Sequence, residues 1–286
     1  MVQLDDALVD RPAEEGAREV ALALLRQSDA AARRLAGGED GEALHDLRVG
    51  VRRLRTALRS LAPWLAGSVR RRDERRLRKI ARASNAARDA EVHLAYLAGQ
   101  DPAGSRGQAG LGFVRDRLQA RRGEGFDAER MLARYARVSR RLAARLPRYE
   151  VRLDDAPPAA TFAAALAAAI AEQLAAVRVR AAAIAGPDDE RRIHRTRIAV
   201  KRLRYLLEPL RGNRHVDTRP AVAELKRLQD VLGELHDAHT LAHELEEALL
   251  DASRDRAHRL FEAVYGAGAS GAALRDELRG GPRAGV

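Results

Sequence analysis

One helical pattern occurs twice in this chain, and it limits the possible folds more than any other feature. Glu42 to Arg55 reads EALHDLRVGVRRLR, and Arg191 to Arg204 reads RRIHRTRIAVKRLR. His45 stands over His194, the apolar positions coincide, and most of the basic positions coincide as well. The following segment repeats too. Leu77-Arg78-Lys79-Ile80 with Arg88-Asp89-Ala90 corresponds to Leu225-Lys226-Arg227-Leu228 with His236-Asp237-Ala238. Two successive matches in the same order indicate an internal duplication, so the fold is expected in two similar halves.

The material of both halves is helical. Ala, Leu, Arg and Glu dominate, β-branched clusters are scarce, and Gly and Pro punctuate. Helices are expected at 13–36, 41–66, 69–99, 108–146, 159–185, 188–211, 217–250 and 254–279, the fourth interrupted near Gly123 and Gly125. Asp188 and Asp217 are the expected N-caps. A Pro-containing linker at 147–158 separates the two sets of four. The reading is therefore all-α, two four-helix bundles forming a single domain, with halves at 10–146 and 159–280.

Within the repeated helix, Leu44, Leu47, Val51, Leu54, Leu58 and Leu61 are spaced 3,4,3,4,3 and form a core stripe. His45, Arg48, Arg52, Arg55 and Arg59 form a second stripe about a quarter-turn away, with no acid in it. The second copy has Ile193, Thr196, Val200, Leu203, Leu207 and Leu210 for the core. Its basic stripe is His194, Arg197, Lys201 and Arg204, ending in Glu208. Like charges at helical spacing repel, so a face built this way twice is read as a surface for an anion. Arg53 and Arg202 lie off both stripes and are expected to face solvent or to sit on the outer rim. The next helix extends the stripe through Arg78 and Arg88 in the first half and Lys226 and His236 in the second. Asn85 and Gly233 fall in the same phase, small enough for a ligand to approach. Asp89 and Asp237 are read as orienting neighbouring arginines.

Charge supports an anionic partner. The chain has 52 Lys+Arg against 41 Asp+Glu, a net +11, and residues 41–90 alone carry 14 basic and 5 acidic residues. Arginine predominates, and its planar fork suits phosphate oxygens. Aromatics are only 3%, too thin for a surface that stacks bases. There is no cysteine, which removes disulfides and thiolate chemistry. The acidic N-terminus is not a secretory signal, and the apolar run from Phe162 to Ala171 is read as too short to span a bilayer. A cytoplasmic protein is expected.

The two repeats resemble the CHAD family, the conserved histidine α-helical domain. The matching residues are His45, Arg48, Arg52, Arg53 and Arg55, then His194, Arg197, Lys201, Arg202, Arg204 and Tyr205, and then the run from Leu225 to Asp237. The resemblance implies two four-helix bundles related by a pseudo-twofold axis, a basic central groove or pore, binding of inorganic polyphosphate, and association with polyphosphate granules. It carries the site onto His45, Arg48, Arg52, Arg55, His194, Arg197, Lys201, Arg204, Arg78 and Lys226. Arg88 against His236 differs between halves. No CYTH domain, the frequent fusion partner in this family, is visible.

Three other readings remain. His236, His239 and His243 share one helix face and are a weak candidate metal site. Nucleic acid fits the charge, although no helix-turn-helix or RNP motif is present; weak, non-specific binding is expected. An enzyme is not expected: there is no P-loop, and Arg and His alone lack an activated nucleophile. No cofactor is expected, and the oligomeric state is open.

Overall fold

The computed structural model describes residues 6–38, 42–83, 94, 97–99, 104–123, 127–148, 160–214 and 216–265. Among them are eight α-helices: α1 (Ala13–Gly37), α2 (Ala43–Ser60), α3 (Arg71–Ala83), α4 (Gly104–Gly123), α5 (Ala128–Arg145), α6 (Phe162–Ala182), α7 (Glu190–Leu207) and α8 (Arg219–Tyr265). Short 3-10 turns precede α1 and follow α2 and α7. The described residues contain no strand, only an isolated bridge between Pro12 and Thr161.

The fourth expected helix is interrupted where the glycines indicated and is two, α4 and α5. Asp127 caps α5 by accepting the Arg130 N–H at 2.8 Å, which fixes a fresh start just past the glycines. The expected break at 251–253 is absent, and α8 runs through it. There Ser253 Oγ folds back to donate to the Leu249 carbonyl at 2.8 Å, so the polar side chain is satisfied without ending the helix. Asp189, rather than Asp188, caps α7 by accepting the Arg192 N–H. Asp217 accepts the N–H of Arg219 at 3.0 Å at the start of α8. Most of the third expected helix beyond 83 lies outside the described residues.

In the first half, α1 packs on α2, α2 on α3, α3 on α5, and α5 on α1. In the second, α6 packs on α7 and α7 on α8, while α4 leans on α8 rather than closing the first bundle. The seam between halves pairs α1 with α6 and α2 with α7. The N-termini of α1 and α6 are tied by reciprocal bonds, Ala13 N–H to Ala160 O at 3.0 Å and Phe162 N–H to Arg11 O at 2.8 Å. Gly16 is required at that crossing, since a Cβ there would lie 2.2 Å from the ring of Phe162.

The expected core stripes are buried over most of their length. Leu47, Val51, Leu54 and Leu58 on α2, Leu61 just past its end, and Ile193, Thr196, Val200 and Leu203 on α7 are buried, while Leu44 and Leu207 are half-buried. The main core unites α1, α2, α3 and α5 with Phe162, Leu166, Leu206 and Leu210, so hydrophobic burial crosses the linker. A second cluster joins Val177, Ile193, Val200, Leu203 and Leu232. The apolar run read as too short for a bilayer belongs to the 21-residue α6. Among the described residues, α6 is the one helix long and apolar enough to cross a membrane, with mean hydropathy 1.6. Its Phe162, Ala165, Leu166, Ala169 and Val177 are buried, and the helix packs on α1 and α7.

Candidate anion-binding site

The pairing of α2 with α7 decides the site, because each helix brings its basic stripe to the same seam. Arg55 of α2 has Arg59, Arg202, Arg78 and Arg52 within electrostatic reach. Burial, followed by these like charges, pulls its guanidinium down to about 10. Lys201 of α7 is half-buried. Burial first, then Arg197, Arg52 and Arg204, lower its ammonium to about 7, while Asp237 of α8 opposes them. Arg52 and Lys201 come from different halves, as do Arg55 and Arg202. Burial is the larger cause in both cases, and the neighbouring cations add to it.

The seam extends onto α8. The rings of His194 and His236 meet with centroids 4.6 Å apart and planes tilted by 47°. His194 Nδ1 is buried without a hydrogen-bond partner. Burial, then Arg197 and Lys201, lower the pKa of His194 below its usual value, so near neutral pH its ring is uncharged in the free protein. Gly233 of α8 lies alongside Arg197, whose Nε would be 3.8 Å from an added Cβ. An added Cβ would meet that guanidinium in ordinary van der Waals contact.

Several expected members behave differently. Arg48 is buried, at 7% exposure, so it sits beneath the seam rather than along it. Arg204 is held by Glu208, its Nη1 3.5 Å from Oε1, and lies 5.2 Å over the ring of Tyr205. It is thus partly neutralised in place. His45 and Lys226 are exposed near the starts of α2 and α8 and take no part in these couplings. Arg59 and Arg78 are exposed beside Arg55. Arg88, Asn85 and Asp89 lie outside the described residues.

Two residues expected to face solvent or sit on the outer rim do neither. Arg53 reaches across the seam to Glu208, and Arg202 is half-buried, lowered by burial, then by Arg59 and Arg180. Arg202 and Arg180 therefore belong to the basic cluster. The sequence did offer a sign, since both copies of the repeat carry Arg at the position of Arg53 and Arg202. Periodicity within one helix set it aside, because only the packing of α2 on α7 turns that flank inward.

The candidate metal triad does not assemble. His243 pairs with Glu190 at 2.9 Å, and among the described residues no group of three His, Cys, Asp or Glu side chains is placed to hold a metal ion.

An all-helical protein with a cation-rich seam between repeated helices defines the class. The chain belongs to the CHAD domain family, which matches residues 16–246. Its fold is similar to the crystal structure of the CHAD domain from the plant Ricinus communis, with a TM-score of 0.64 and 24% identity over 98% of this chain and 94% of that one. No curated protein matches the chain at a significant level.

Proposed function

We propose that this protein binds inorganic polyphosphate, without turning it over, along the seam between α2 and α7. The observation that carries the reading is the packing of α2 on α7, which sets Arg52 near Lys201 and Arg55 near Arg202 across the two halves. It gathers cations that repel one another in the free protein and would be relieved by an anion. A phosphate polymer presents repeated acceptors and no donors, the complement of a wall made of guanidinium and ammonium groups. A stripe from Arg52 to Arg59 is about 10 Å long at helical rise, enough for a few successive phosphates. The family resemblance supports the same ligand. The sequence supports a non-catalytic role, because it contains no P-loop.

The test is calorimetric titration with long-chain polyphosphate at two salt concentrations, with duplex DNA as competitor. Polyphosphate should bind more tightly than DNA, its affinity falling steeply with salt as displaced counterions lose their drive to leave. Affinity independent of salt, or DNA displacing polyphosphate at equal charge, would overturn the reading. A granule-associated cytoplasmic location goes with this proposal. Fluorescently tagged protein should co-localise with polyphosphate granules, and the Arg52→Glu/Lys201→Glu variant should disperse.

A further inference from the structure

A basic cavity lies away from the seam. It is a pocket of about 470 Å³ between the start of α3 and the end of α5. Arg70, Arg72 and Arg76 line it from one side, and Arg141 and Arg145 from the other. Arg76 and Arg78 are two residues apart on α3, about 200° around the helix. Arg78 serves Arg55 in the seam, so Arg76 belongs to the opposite flank. The two basic surfaces share a helix but not a face.

The pocket has one acid, Asp73, and that acid is already engaged. Its side chain is 2% exposed. Oδ2 accepts from Arg145 Nη2 at 2.6 Å and from the Arg70 N–H at 3.1 Å. Oδ1 lies 4.0 Å from Arg76. Arg145 also donates from Nε to the Arg141 carbonyl at 3.1 Å. Asp73 thus fixes Arg145 and the turn at Arg70 in place, and one carboxylate stands against five guanidinium groups. No other carboxylate among the described residues lines the cavity. A structural ion pair needs one or two arginines, and the remainder of the lining is donor capacity without a partner acid. The one uncharged lining residue is an alanine and there is no aromatic, so nothing is present to hold a nucleobase.

We infer that this pocket binds a compact di- or triphosphate group, either a free short oligophosphate or the end of a longer chain. The four arginines beyond the Asp73–Arg145 pair line one concave volume, which suits an anion with many oxygens on a few adjacent phosphorus atoms. The elongated seam suits a polymer's middle instead. The inference does not rest on what the seam binds.

The experiment titrates the full chain with inorganic tripolyphosphate, comparing wild type, Arg72→Ala/Arg141→Ala and the seam variant Arg52→Ala/Lys201→Ala. Arg72 and Arg141 are exposed, and the pair leaves the Asp73–Arg145 contact intact, so circular dichroism should be unchanged. The pocket variant should lose at least about tenfold in tripolyphosphate affinity, as expected when two charge-assisted contacts are removed, while the seam variant retains it. Equal affinity of wild type and pocket variant, or loss in the seam variant alone, would overturn the assignment. Long-chain polyphosphate distinguishes the two sources and supports the site either way. Weaker binding to the pocket variant means that it takes a chain end, and unchanged binding means that it takes a free short anion.

Discussion

Arg53 Nε donates to Glu208 Oε2 at 2.9 Å, and Arg53 Nη2 lies 2.8 Å from the same oxygen. The first residue is on α2 and the second just past the end of α7, so the contact joins the two halves. Glu208 is 5% exposed and also holds Arg204, while both arginines lie over Tyr205 at 5.7 and 5.2 Å. Removing the carboxylate would strand two part-buried guanidinium groups, the costly way to break a buried pair. Glu208→Ala should therefore lose about 3 kcal/mol in urea unfolding. Long-chain polyphosphate should recover part of that loss, because the freed Arg204 and Arg53 can take phosphate instead. No recovery would place this clamp outside the ligand's reach.

Binding should weaken as pH rises. Lys201 sits near 7 in the free protein, and an anion beside it stabilises the charged form, so the complex holds the proton to higher pH than the free chain does. Below about 7 the proton is already present. Above that, binding must recruit it, and affinity falls by up to about tenfold per pH unit until the complex itself deprotonates. His194, lowered for the same reasons, adds a second proton uptake on the acid side. Calorimetry from pH 6 to 9 should show this decline. Lys201→Arg should flatten the part above pH 7, since arginine keeps its charge.

Charge reversal separates binding from folding. Arg52 and Arg197 lie at the seam rather than in the core, so Arg52→Glu or Arg197→Glu should leave helicity intact. Polyphosphate affinity should fall by at least about 30-fold, because each change removes a charge-assisted contact and adds repulsion. Arg53→Glu would not be an equivalent control, since it would repel Glu208 and destabilise the fold. Circular dichroism alongside the titration distinguishes the two kinds of loss.

The core was legible residue by residue, and the charged seam less so. Leu47, Val51, Leu54 and Leu58 follow from spacing alone, since a period near 3.5 names the buried face directly. The stripe of Arg52, Arg55, Lys201 and Arg197 was also readable, because the duplication repeated it. What spacing could not supply was the partner of each face. Arg202 joined the cluster, and Arg53 the clamp, only because α2 packs on α7. Arg48 sank beneath the seam because it borders the core stripe closely enough to be covered. The pocket around Asp73 draws on α3 and α5, distant in sequence, and no periodicity within either helix announces it. The break expected at 251–253 is absent for another reason, since Ser253 satisfies itself within the helix and needs no turn.

Lys201 should stabilise the ligand at the expense of the free fold. Its ammonium is half-buried among Arg197, Arg52 and Arg204, and among the described residues Asp237 opposes them. A base whose folded pKa lies below its unfolded value destabilises the fold fully where both states are protonated. That penalty shrinks as pH rises from about 7 toward the ordinary lysine range, because the folded chain gives up the proton first. Lys201→Met keeps the length and apolar stem but removes the charge. At pH 6 the variant should be more stable than wild type by ~1–2 kcal/mol, after allowing for screening by water at the seam. At pH 9 most of that advantage should have gone. Polyphosphate affinity at pH 6 should drop at least about tenfold in the same variant. Urea unfolding at the two pH values, with and without polyphosphate, measures both effects. If Lys201→Met is less stable than wild type at pH 6, the lysine is a structural element of the fold, and the crowding that motivates an anion at this seam is not what governs it.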